Sequence, residues 1–141
     1  MTARLRAAMA AALMGVALCP VLAQGAQWVR VGSGGGSESY IDKSSILRVD
    51  KNYKVWSLVS YAGEQMTQDG TTYRSMKALH VYSCAERTTT LQSQVYYSEA
   101  MGKGPVVQSL KYERFNPEDI VPDSVADGAL QMICKRPVRK K

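Results

Sequence analysis

Three kinds of residue in this 141-residue chain have side chains that could do chemistry: three cysteines, a single histidine and a few neighbouring carboxylates. His80 and Cys84 lie four residues apart in YRSMKALHVYSC, whose alternation reads as a strand. A Cys–His pair activates a thiol only when the ring nitrogen comes within about 2.6–3.2 Å of its partner. Positions i and i+4 of a strand are about 13 Å apart, at about 3.3 Å per residue, so these two cannot form a dyad. His80 instead reads as a half-buried packing residue of the sheet. Glu118 and Asp119 sit in a loop flanked by Pro117 and Pro122 and read as solvated charges. Asp123 and Asp127 open a helical stripe, where the positive end of the helix favours carboxylates. The sequence holds no G-x-S-x-G elbow, no His-Glu-x-x-His and no ligand set at zinc spacing. The expectation is a non-enzymatic protein with no catalytic residue, no metal site and no cofactor.

The segment VRVGSGGGSESYID, residues 29 to 42, tests that expectation. A dinucleotide-binding loop is a strand, a G-x-G-x-x-G run and then a helix whose N-terminus holds the phosphate. Here Gly32 and Gly34 are present, but the last position is Ser37 and a second strand, SYID, follows. With no helix dipole to receive an anion, the glycines read as the tip of a hairpin, where positive φ is needed.

The cysteines depend on compartment. Arg4 and Arg6 precede an apolar run from Ala7 to Leu18, and small residues follow in VLAQ. This is the pattern of a signal peptide, residues 1–23, cleaved near Ala23. The run of 12 residues falls short of the ~20 needed to cross a bilayer. Cys19 follows Leu18, where a lipoprotein signal requires a small residue, so it is read as part of the discarded leader. Cys84 and Cys134 then remain as an even pair in an oxidising compartment and are expected to bond. Closing a loop of about 50 residues stabilises the fold by about 4 kcal/mol on chain-entropy grounds.

The mature chain, residues 24–141, is one domain in length. The 18 Lys plus Arg include Arg4 and Arg6 of the leader, so 16 face 12 Asp plus Glu after cleavage. Five of those 16, Lys135, Arg136, Arg139, Lys140 and Lys141, form a basic tail over residues 135–141. The body over residues 24–134 is close to neutral, which argues against a nucleic-acid partner, since that needs positive charge spread along a folded face.

Most of the scaffold around these residues reads as strands. QWVRV and SYID flank the glycines, and KVWSLVSY places Val55, Val59 and Tyr61 opposite Trp56 and Leu58. YRSMKALHVYSC sets Met76, Ala78, His80, Tyr82 and Cys84 on one face, with Tyr73, Leu79 and Val81 on the other. TTTLQSQVYYS and VVQSLKY follow, and VDKNY, QDGT and MGKGP supply the turns. The period changes in PDSVADGALQMIC, where Val125, Ala129, Met132 and Ile133 form a helical stripe capped by Asp123 or Ser124. Cys134 lies on that stripe, so a bond to Cys84 would pin the helix to the sheet. Gly128 weakens the helix by about 1 kcal/mol relative to Ala. Eight Tyr against one Phe favour sheet faces with a wet side, and adjacent Tyr96 and Tyr97 must point to opposite faces.

In order along the chain, several short pieces resemble the surface-adhesin protein E family, small exported proteins of Gram-negative bacteria. They are Trp28, Tyr40-Ile41-Asp42, Ser45-Ile46, Lys54-Val55-Trp56 and Tyr73-x-Ser75-x-Lys77. After Cys84 and Arg87 come Tyr97-Ser98, Met101-Gly102-x-Gly104, Val106-Val107, Pro122-Asp123-Ser124 and Cys134. The resemblance implies an α+β fold: an antiparallel sheet of about six strands with a C-terminal helix packed on it and linked by one disulfide. It also implies an adhesin-like role, the founding member being an outer-membrane adhesin for host matrix and serum proteins such as laminin, vitronectin and plasminogen. The expectation is therefore an exported binding protein, periplasmic or at the cell surface, with a protein ligand. The alternatives are a periplasmic structural or housekeeping protein with a bacterial partner and, last, an envelope hydrolase. The tail at Lys135, Arg136, Arg139, Lys140 and Lys141 is a candidate ligand-binding segment and a peripheral contact for anionic surfaces.

Overall fold

The computed structural model describes residues 25–113 and 116–135. The expected leader, residues 1–23, and the tail beyond Lys135 lie outside them. β1 (Trp28–Gly34) and β2 (Ser37–Asp42) form the hairpin whose tip is Gly35-Gly36. Both tip residues have positive φ, 59° and 76°, which glycine adopts without steric cost. The glycine cluster is thus a turn, as its residue types require.

β3 (Leu47–Val49) turns at Asp50 into β4 (Asn52–Met66), and β5 (Thr72–Ser83) and β6 (Thr88–Tyr97) follow as antiparallel neighbours. β7 (Val106–Lys111) completes the far edge, and the sheet order is β1-β2-β4-β5-β6-β7. β3 is a short addition beside β4, and β8 (Glu118–Asp119) is another beside β6. Glu118 and Asp119 therefore lie in a strand and not in a free loop: their backbone pairs with Thr89 and Thr88 while both residues stay exposed. The helix α1 (Val125–Cys134) ends the described chain, so the fold is α+β.

Register explains why one sheet face is apolar near the helix. Ile41 pairs with Ser57, Val55 with His80 and Tyr53 with Tyr82, all on the face α1 covers. Ile41, Val55, Tyr82, Ala129, Leu130 and Ile133 form the buried cluster. Burying each large side chain stabilises by about 1.5–3 kcal/mol. The Cys84–Cys134 disulfide is present, with Cα atoms 5.8 Å apart, and ties the last residue of α1 to the end of β5.

A second tie was less legible. Asp127, only 4% exposed, accepts from Arg87 Nη2 at 2.6 Å, from Gln131 Nε2 and from the Asp123 N–H. The bond from Asp123 and the Arg87 guanidinium hold its carboxyl below the usual carboxylate range. The sequence assigned Asp127 to the helix dipole alone, but its main partner sits on the β5–β6 turn. Ser124, not Asp123, is the N-cap, its Oγ accepting from the Asp127 N–H at 3.2 Å.

Candidate binding site

The other face of the sheet is covered by no helix among the described residues. The row Tyr40, Leu58, Lys77 and Val95 crosses it, beside Trp56 and Leu79. The turn between β6 and β7, with a short 3-10 segment at Ala100–Gly102, folds over one end of this face. Ser75, fully buried on β5, explains how: its Oγ donates to the Glu99 carbonyl at 2.5 Å and accepts from the Gly102 N–H at 2.8 Å. Ser60 on β4 accepts from the Met101 N–H at 3.0 Å. Met101 and Gly102 both have positive φ, 59° and 67°, so two buried hydroxyls hold a strained turn in place. Lys77 lies under it, with Nζ 4.8 Å from the Tyr97 ring centroid and 5.7 Å from that of Trp28. Neither serine carried a chemical motif: Ser75 was signalled only by the piece Tyr73-x-Ser75-x-Lys77, and Ser60 by nothing in the sequence.

At this end of the sheet, away from the disulfide, the chain encloses an open cleft of about 620 Å³. One wall is the hairpin tip, from Ser33 to Glu38; the other is Tyr61 and Ala62 of β4 with Arg74 of β5. Ser60 and Ala100 also line it. Arg30 reaches Glu38 at 3.1 Å, and Glu38 also accepts from the Tyr40 hydroxyl at 2.7 Å. Arg74 donates from Nη2 to the Ala62 carbonyl at 2.9 Å and has no ion pair among the described residues. Its Nε is buried without a hydrogen-bond partner. The backbone geometry that places Arg74 here is irregular: Ser60 pairs with Ser75 and Gln65 with Tyr73, so Tyr61 to Glu64 bulge out against Arg74 alone.

The same bulge overrides period two at Tyr73. Alternation sets Tyr73 opposite Met76, yet its ring packs edge-on against Tyr96, the register partner of Met76, at 4.8 Å. Tyr61 continues the row at 5.7 Å, and Tyr112 donates to Gln94 Oε1 at 2.6 Å.

The sequence candidates are placed as follows. Cys84 and Cys134 are joined and offer no thiol. His80 Nδ1 lies 3.3 Å from Ser57 Oγ, a pair that spacing along one strand could not reveal. Ser57 also donates to the Ala78 carbonyl, and burial pushes the imidazole down to about 4. No carboxylate bonds to the ring among the described residues. Lys135 is the C-cap of α1, its N–H donating to the Gln131 carbonyl; Arg136, Arg139, Lys140 and Lys141 lie outside the described residues. No group of three or more metal-ligating side chains occurs among the described residues, and no described helix is long and apolar enough to cross a membrane.

Sheet, covering helix and covalent clamp define the class as a disulfide-linked two-layer α+β domain with a polar cleft at one sheet end. The chain belongs to the surface-adhesin protein E family, whose model matches residues 28–135. It is similar in structure to protein E of Haemophilus influenzae in crystal form II, at 20% identity and a TM-score of 0.59. That match covers 74% of this chain and 91% of the other. A crystal structure of protein E from non-typeable Haemophilus influenzae is also similar, at 20% identity and a TM-score of 0.60, covering 83% and 81%. At such identity the structural likeness speaks for the fold. A search of curated proteins returns no match.

Proposed function

We propose that this chain is an exported, non-enzymatic, adhesin-like protein of the cell envelope that holds a protein ligand from host matrix or serum. The family match across residues 28–135 carries the reading. The leader-like residues 1–23, with cleavage near Ala23, and a disulfide suited to an oxidising compartment support export. Residues 24–134 act as the folded body, and the basic tail at 135–141 adds a salt-sensitive contact.

The test has two arms. Protease shaving of intact cells should remove the protein, and immobilised laminin, vitronectin or plasminogen should retain the purified form, with an envelope extract run in parallel. A protein untouched on intact cells and retained only by an envelope component would overturn the adhesin reading in favour of a periplasmic role. Retention equal at about 100 and about 500 mM salt, with or without residues 135–141, would remove the tail from it.

A further inference from the structure

The glycine tip has no helix dipole and its own Arg30 is paired with Glu38, but the fold brings Arg74 into the same cleft. The geometry points to the cleft between the tip and Arg74 as a site for an acidic residue within an extended peptide, a deepening that rests on the protein-ligand reading above. Three observations converge. Arg74 carries five N–H donors, and only its bond to the Ala62 carbonyl is formed among the described residues, so its charge faces the cleft uncompensated. A guanidinium in such a place recognises a planar carboxylate through charge-assisted bonds.

The walls include Gly34 and Gly36, which present only peptide groups, and the exposed Ser33, which suit a backbone as much as a side chain. Ser37 Oγ, by contrast, donates to the Gly34 carbonyl, and buried Ser60 Oγ accepts from the Met101 N–H. Glu38 stands on the same wall, 49% exposed, and keeps Arg30 paired. Among the described residues that line the cleft, Arg30 is paired with Glu38 and Arg74 has no carboxylate partner. That balance matches a peptide with a single acidic group, whose N–H donors Glu38 can receive. A polysulfated glycan would instead meet Glu38 as a repulsive charge. At about 620 Å³ the cleft has room for a few residues.

The experiment is a backbone-amide NMR titration of the full mature protein with acetyl-Gly-Gly-Asp-Gly-Gly-amide, its Asn counterpart and a heparin-derived oligosaccharide. The Asp peptide should shift the signals of Ser33, Gly36, Ser60 and Ala62, binding about tenfold more tightly than the Asn peptide, as expected for one charge-assisted bond. Arg74→Gln keeps a donor for Ala62 and should abolish that preference, while Arg74→Lys should retain part of it. Ser33→Glu, on the exposed rim, should block the site with the fold intact and so keeps the test informative if Arg74 variants unfold. Equal binding of Asp and Asn peptides, no shifts in the cleft, or tighter binding of the oligosaccharide at these residues would each overturn the assignment. Peptide binding with no retention on host proteins would leave the cleft standing and remove only the adhesin reading.

Discussion

Replacing Gly128 by Ala sets two effects of opposite sign against each other. In an unconstrained helix interior the change stabilises by about 1 kcal/mol, because glycine loses more backbone entropy on folding. In this fold an added methyl would stand 2.9 Å from the Val31 carbonyl oxygen, well inside the ~3.5–4.0 Å of a comfortable contact. The obstacle is backbone, so it cannot rotate away. Val31 is the residue skipped by the register shift between Arg30 and Gly32, and its side chain packs against the buried cluster. Moving it would disturb both β1 and the seat of α1. Overpacking of this kind costs about 1–3 kcal/mol, which exceeds the propensity gain at its middle value. Gly128→Ala should therefore lower the urea midpoint at unchanged m-value, with Tm falling by several degrees. Gly63→Ala is the control: open space surrounds Gly63, and the change should stay within about 0.5 kcal/mol of the parent. Gly32→Ala faces Val125 Cγ2 at 2.8 Å, a 40%-exposed side chain that can turn, so its cost should be smaller than that of Gly128→Ala. A Gly128→Ala protein more stable than the parent would refute the close helix–strand seat.

Ser75→Ala should cost about 1–3 kcal/mol and speed amide exchange across 99–104, since the Glu99 carbonyl and the Gly102 N–H lose their buried partner; unchanged exchange there would mean the turn holds itself. Alkylation of the native, unreduced mature form should label neither Cys84 nor Cys134, and the double Ser variant should lose about 4 kcal/mol of stability. The imidazole of His80 is neutral in the folded state and pushed from 6.5 to about 4, so the unfolded chain takes up its proton first as pH falls. Stability is full above about 6.5 and declines toward 4 by up to about 3 kcal/mol, nearer about 2 for a ring that keeps some solvent contact. An NMR titration of this single histidine near 6.5 would contradict that. Asp127 acts lower on the scale: its depressed carboxyl contributes fully above the ordinary carboxylate value, and that contribution is lost as pH falls through the folded value. Asp127→Asn should flatten the stability profile below about pH 4 while leaving the His80 region unchanged.

Much of the fold was legible because its signals are local. Period two marked β4 and β5, Thr, Val and Tyr content marked β6, and the change to period 3.6 after Pro122 marked the helix. The sulfur bridge followed from cysteine parity and the face on which Cys134 falls. The failures share a cause. β4 runs to Met66, past the end read at Tyr61, because residues 61 to 64 bulge and hide the alternation. Tyr73 rests against Tyr96 for the same reason. Glu118 and Asp119 form a strand because Thr88 and Thr89 offer backbone partners, and nothing in a charged pair between prolines announces that.

The site was illegible for a different physical reason: its chemistry lies in bonds between residues far apart in sequence and individually unremarkable in type. Ser60 and Met101 are 41 positions apart, Ser75 and Gly102 are 27, and Arg74 lines one cleft with the glycine tip beside the bulge of β4. Each pair needs a sheet already in register before its members become neighbours. The bulge therefore does two jobs. It interrupts the β4–β5 ladder between Ser60 and Gln65, and it leaves Arg74 bonded to an exposed carbonyl instead of a carboxylate. Deleting Ala62 and Gly63 to shorten it should move Arg74 away from the tip and close the cleft, with the sheet order unchanged. Loss of the Asp-peptide shifts in that variant, with the disulfide and the far-UV spectrum retained, would separate the cleft's contribution from that of the fold.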